Sequence, residues 1–232
     1  MVYYQNIYYL CIKKNHTLQL MRSILADIRN VPVSSTAIAS LYPEVKTKWK
    51  KIEQLEKEGE IIRLRRNLFV ANPEESGIKL SLGLIANHLL APSYVSMSTA
   101  LRYYGLIPEG VYVTQSMTFK AARTYSTPIG NFSYTHISKE SYPIGLTQIK
   151  ENGVLYIMAT PEKALCDLIA NTSGINLRYK KEAQIYLEND IRFDMEAFAE
   201  MNKDTFLEYA KVGKKVSSIL TLLKLLDNFK QK

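Results

Sequence analysis

The stretch that most constrains what this chain can fold into is residues 33–71. Val33-Ser34-Ser35-Thr36-Ala37-Ile38-Ala39-Ser40-Leu41 leads into Tyr42-Pro43-Glu44, then into a lysine-rich amphipathic segment over 45–59 and a short basic hairpin over 61–71. A capped helix, a tight proline turn, a longer helix and a basic hairpin, in that order, predict a winged helix-turn-helix. The first helix should begin at Ser34 or Ser35, where a serine hydroxyl can accept from an unpaired N–H of the first turn. Pro43 presets φ for the first turn of the next helix, and Glu44 suits the positive end of its dipole. Val45, Trp49, Ile52 and Leu55 then recur at helical steps, which predicts one buried stripe with Trp49 as a core anchor. At about 100° per residue, Lys46, Thr47, Lys50, Lys51 and Gln54 point the opposite way. Gly59 supplies a left-handed stop.

In the hairpin, Ile61, Ile62, Leu64, Leu68, Phe69 and Val70 are strand formers and Arg65-Arg66-Asn67 falls at the turn, where Asn tolerates positive φ. Eight Lys or Arg stand against four Glu between Val45 and Asn67. The chain's net charge is +8, of which residues 1–74 carry +5 and residues 75–232 carry +3. A solvated helix followed by an ordinary hairpin is the plainer alternative. It does not explain why cations gather on the helix's outer face and at the hairpin tip, the two surfaces a winged helix offers a duplex. The expected partner is double-stranded DNA. Lys46, Thr47, Lys50 and Lys51 are the candidate contacts in the major groove, with Arg63, Arg65, Arg66 and Asn67 on the wing. Ser34, Ser35 and Thr36, at the preceding helix start, are placed to anchor a backbone phosphate.

A helix over 18–28, with Leu18, Met21, Ile24, Leu25 and Ile28 at helical spacing, would complete a three-helix core. The polar, turn-rich run Asn72-Pro73-Glu74-Glu75-Ser76-Gly77 divides the chain into a winged domain over 1–75 and a second domain over 76–232. The second should open with a helix over 80–90, followed by one capped by Ser96 or Ser98 that ends at Gly105. Strands are expected over 111–116, 118–125 and 132–137. Asn152-Gly153 joins two further strands, 146–151 and 154–159, as a hairpin. Thr160-Pro161-Glu162 reads as N-cap, first-position proline and first-turn acid of a helix to Ala170. Helices over 180–189, 195–201, 205–212 and 216–229 close the chain. The fold class is therefore α+β, a winged helix-turn-helix plus a C-terminal domain with a small antiparallel sheet and helices.

Catalysis is hard to assemble from these residues. His16, His88 and His136 lack metal-ligand spacing to any Cys, Asp, Glu or His, and no glycine-rich phosphate loop is present. Neither a cofactor, a metal nor a catalytic residue is expected. The competing enzymatic reading is a metal-dependent nuclease in the second domain around Glu162, Lys163 and Asp167. Tyr94, Tyr103, Tyr104, Tyr112, Tyr125, Tyr134 and Tyr142 could stack on single-stranded nucleic acid, but core and sheet positions suit them better. Lys120 and Arg123, expected on one strand, could form a second phosphate patch or a solvated face. Cys11 and Cys166 fit no disulfide framework, so a reducing cytoplasm is the expected compartment. No apolar run is long enough to span a membrane. Residues 1–12 lack the basic start of a signal peptide; they read as a packed strand or as an extension ahead of a start at Met21.

Four blocks resemble the AbiEi-family antitoxins of type IV toxin–antitoxin systems. They are Gly59-Glu60-Ile61-Ile62-Arg63-Leu64-Arg65-Arg66-Asn67-Leu68-Phe69-Val70, Tyr94-Val95-Ser96-Met97-Ser98-Thr99-Ala100-Leu101-Arg102-Tyr103-Tyr104-Gly105-Leu106-Ile107, Ala159-Thr160-Pro161-Glu162-Lys163-Ala164-Leu165-Cys166-Asp167-Leu168 and Tyr186-Leu187-Glu188-Asn189-Asp190-Ile191-Arg192. They stand in family order; Asn67 takes the place of a glycine common at the family's wing tip. The resemblance implies a bacterial transcriptional repressor that binds inverted repeats at its own promoter. It also implies antagonism of a nucleotidyltransferase toxin without a stable complex, with the neutralising activity in the second domain. A winged-helix regulator unrelated to any toxin is the further alternative.

Overall fold

The computed structural model describes Ile28 and residues 30–230. The helix expected over 18–28 lies outside the described residues except for its last position, as do Cys11, His16 and the segment 1–12. The chain divides into two compact units, with the boundary in the sequence between Ser81 and Leu82.

In the first unit, α1 (Ser35–Ser40) is followed by α2 (Lys48–Lys57), then by the antiparallel pair β1 (Ile61–Arg65) and β2 (Leu68–Ala71). Ser34 is the N-cap of α1 as expected, its hydroxyl accepting from the Ala37 N–H at 3.1 Å. The connection to α2 departs from the expected tight turn. Pro43 and Glu44 lie in a turn, and the helix starts at Lys48, with Thr47 in the N-cap position. Residues 41–47 therefore form a longer, turn-containing link, fastened by the burial of Tyr42. Ile38, Tyr42, Ile52, Leu55, Ile61 and Phe69 make the core, with Val33 and Val45 packed against it. Val33 adds a short antiparallel bridge to Phe69 through paired backbone bonds of 2.8 and 2.9 Å. The run expected to be a linker folds into one turn of helix, α3 (Pro73–Ser76), capped by the Asn72 side chain.

The second unit is built on a six-stranded sheet in the order β5-β6-β4-β3-β8-β7. Its strands are β3 (Tyr94–Val95), β4 (Val113–Thr118), β5 (Arg123–Thr127), β6 (Gly130–His136), β7 (Leu146–Glu151) and β8 (Val154–Ala159). This sheet is mixed rather than purely antiparallel: β3 runs parallel to β8, and β4 parallel to β6. β5 and β6, like β7 and β8, pair as antiparallel hairpins, but β6 rather than β5 docks on β4, which makes that pair parallel. The strand expected over 118–125 is interrupted. Phe119–Ala122 is a connection, where the Lys120 ammonium donates to the Ala91 carbonyl at 2.6 Å. The β7–β8 hairpin matches its expected ends, with Asn152 and Gly153 both at positive φ, 49° and 79°.

The helices of this unit are α4 (Leu82–Leu89), α5 (Met97–Tyr103), α6 (Pro161–Asn171), α7 (Lys180–Ile185), α8 (Met195–Ala199), α9 (Lys203–Val212) and α10 (Val216–Lys230). Residues Tyr186–Asp190 continue α7 as a π-helical turn. Thr160 and Pro161 start α6 as the sequence predicts, the Thr160 hydroxyl accepting from Lys163 N–H. Among the described residues, no helix is long and apolar enough to cross a membrane.

Candidate nucleic-acid interface

Residues 46–50 are all exposed, so the first turn of α2 and the residues just before it stand clear of the core. This brings Lys46, Thr47 and Lys50 to the surface as expected, and adds Lys48. Lys48 lies about 40° from Ile52 around the helix, which on pattern alone points it inward. Its exposure comes from the helix end projecting past the core, not from its angle. Lys51 is half-buried, its ammonium 5.3 Å from the Tyr42 ring centre in a cation–π contact. Trp49 is not a core anchor: it is 67% exposed. Ile52 and Leu55 carry the buried stripe, and Trp49 sits on its flank in the exposed first turn.

At the other end of the surface, Arg65 and Arg66 are exposed at the hairpin tip. Asn67 adopts φ +64° there, the conformation that the turn requires. Its side-chain oxygen accepts from the Ser35 N–H at 3.2 Å and from the Ser35 hydroxyl. Ser35 is thus buried and engaged in tying α1 to the hairpin tip, while Ser34 and Thr36 share a 2.7 Å hydroxyl contact nearer the surface. Arg63 is also engaged. Its Nε donates to Glu56 at 2.8 Å, and its guanidinium lies 4.7 Å from the Phe69 ring centre. That hydrogen bond holds the Glu56 carboxyl below the ordinary carboxylate range. Arg63 therefore braces β1 against α2, and its charge is largely neutralised in place.

Lys46, Lys48, Lys50, Arg65 and Arg66 have no carboxylate partner among the described residues, and neither does Lys57 at the opposite end of α2. No acidic residue occupies the first turn of α2. An uncompensated group of this kind creates a positive potential suited to a polyanion.

The second candidate, around Glu162 and Asp167, has a different character. Lys163 and Asp167 are one turn apart on α6, both 0% exposed, with Nζ and Oδ1 at 3.3 Å. Asp167 Oδ2 accepts from the hydroxyls of Tyr94 at 2.9 Å and Ser96 at 2.8 Å. Ser96 holds the N-cap position of α5, but its hydroxyl serves Asp167 instead of the helix. Lys163 Nζ donates to the Ser141 carbonyl at 2.8 Å and lies 4.4 Å from the Tyr209 ring centre. Burial pushes the Asp167 carboxyl up and the Lys163 ammonium down, each opposed by its partner's charge. Glu162 faces elsewhere and accepts from the Asn202 N–H at 2.9 Å. Among the described residues, no three His, Cys, Asp or Glu side chains gather as a metal site.

Of the tyrosines considered for stacking, Tyr94 and Tyr134 are buried, Tyr104, Tyr125 and Tyr142 half-buried, and Tyr103 and Tyr112 exposed. His136 Nδ1 contacts the Lys120 carbonyl at 3.1 Å. His88 lines a cleft of about 310 Å³ with Leu84, Asn87, Gln148, Leu155 and Tyr156, a lining that includes no carboxylate. Compared with protein-family models and with curated proteins, the chain matches none.

Proposed function

We propose that this protein is a sequence-specific DNA-binding repressor whose first unit acts as a winged helix-turn-helix. The observation that carries the reading is the placement of cations that have no carboxylate partner among the described residues. Lys46, Lys48 and Lys50 border the first turn of α2, while Arg65 and Arg66 stand at the tip of the β1–β2 hairpin. In winged helices these two surfaces enter the major groove and meet the backbone or minor groove, respectively. Thr47 belongs to the same exposed turn, and Ser34 and Thr36 extend the polar surface toward a flanking phosphate. Ser35, Arg63 and Asn67 contribute by fixing the hairpin against the two helices.

The proposal extends to antagonism of a nucleotidyltransferase toxin, with repression at inverted repeats and the neutralising activity in the second domain. This part is supported by the sequence resemblance described above. The test of DNA binding is a titration of the full chain against the DNA upstream of its own gene, at moderate salt and with random duplex as competitor. A specific complex supports the reading, and equal binding to both DNAs refutes it. For the toxin, growth is followed while the neighbouring gene product is induced together with the full chain, with residues 76–232 or with residues 1–75. Rescue by residues 1–75 alone, or no rescue by a soluble 76–232 fragment, would overturn the division of labour.

A further inference from the structure

Trp49 is the single tryptophan of the chain, and the structure sets it in solvent. An indole buries roughly 150–250 Å² when it packs, so leaving it two-thirds exposed gives up a large hydrophobic gain. The core does not need it: Ile38, Tyr42, Ile52, Leu55, Ile61 and Phe69 close around one another without it. It stands in the first turn of α2 between Lys48 and Lys50, with Lys46 just before the helix and no acid in that turn. An apolar protein partner seated there would have to desolvate several unpaired ammonium groups, which is costly. A polyanion with an apolar feature on its surface suits both the ring and its rim. Duplex DNA has such a feature in the major groove, the thymine C5-methyl group.

Resting on the DNA-binding reading, we propose that the Trp49 indole is a base-reading residue that packs on thymine methyl groups in the major groove. The surrounding lysines hold the first turn of α2 on the phosphates. The ring supplies discrimination that phosphate-bound ammonium groups cannot, since they contact every phosphate alike. Trp49 then determines specificity while contributing little to the core.

The test uses the full chain and a cognate duplex selected from random sequence. Each thymine is replaced in turn by deoxyuridine, which removes only the methyl group. Wild-type protein should lose about fourfold in affinity at the contacted position, the value of one methyl-sized apolar contact. Trp49→Ala should lose at least that much on the cognate duplex, no longer sense the deoxyuridine, and keep the wild-type salt slope and thermal midpoint. Trp49→Phe should recover part of the methyl dependence. In the wild type the indole emission should shift on cognate DNA.

Affinity insensitive to deoxyuridine at every position, or wild-type cognate affinity in Trp49→Ala, overturns the proposal while leaving DNA binding intact. An emission shift that follows protein concentration without DNA would assign the ring to a second copy and overturn it as well. Failure to select any cognate duplex would instead refute the DNA-binding reading on which it rests.

Discussion

The buried pair Lys163–Asp167 offers the most demanding test of the second unit's energetics. At 3.3 Å, two unit charges attract by about 5 kcal/mol at an effective dielectric near 20. Opposing this is the cost of taking both ions out of water, several kcal/mol each, so the intact pair is not expected to add much net stability. Breaking it is a different matter. Asp167→Asn keeps an acceptor for the Tyr94 and Ser96 hydroxyls but leaves the Lys163 ammonium buried with only the Ser141 carbonyl and aromatic faces. Lys163→Met leaves the carboxylate with its two hydroxyl donors and no counter-charge. Each single change should cost about 3–5 kcal/mol. The double variant Lys163→Met/Asp167→Asn removes both charges and should cost about 3 kcal/mol less than the sum of the singles, at the upper end of measured couplings. Urea unfolding followed by far-UV circular dichroism supplies the free energies. Thiol labelling of Cys166, buried on the same helix, supplies an independent probe in a Cys11→Ser background. Single losses under about 1 kcal/mol, or losses that simply add, would show that the two charges are not coupled as the geometry requires.

Other consequences concern the first unit. Arg65→Ala and Arg66→Ala should each weaken binding to cognate and random DNA alike and lower the salt slope by about one. Arg63→Ala should leave that slope unchanged and lower the urea midpoint instead, because its guanidinium is engaged with Glu56 and Phe69. Ser35→Ala should cost about 1–3 kcal/mol, and the same change should cost less in an Asn67→Gly background, where the acceptor of the Ser35 hydroxyl is already gone; equal losses in the two backgrounds would break that link. The Tyr42 hydroxyl is buried without a hydrogen-bond partner among the described residues, and burial together with Glu60 and Glu44 pushes its pKa up to about 12. A folded pKa above the unfolded one means stability is full below about pH 10 and falls toward pH 12, by up to about 1.4 kcal/mol per unit. Tyr42→Phe keeps the ring and should be neutral or slightly stabilising at pH 7. It should also lose less stability than wild type between pH 9 and pH 11.5; an equal loss would count against the assignment.

Features carried by a few neighbouring residues were legible in the sequence. Ser34 caps α1, Thr160-Pro161 starts α6, and Asn152-Gly153 turns β7 into β8, because each depends on local backbone geometry alone. The i,i+4 spacing of Lys163 and Asp167 likewise places both on one face of a helix. Tertiary structure decided the rest. Helical periodicity gives an angle but not where the core ends along the axis, so it points Trp49 inward and gives no sign of Lys48 at the surface, although both are exposed. Composition counts cations without their partners; Glu56 engages Arg63, seven residues away, while Arg65 and Arg66 have no carboxylate partner among the described residues. Ser35 reaches across 32 residues to Asn67, and Tyr94 and Ser96 reach across more than 70 to Asp167. Turn chemistry specified the β7–β8 hairpin, but the docking of β6 on β4 and of β3 on β8 was set by contacts between distant segments. Such pairings depend on how separate apolar faces close together, which no local pattern encodes.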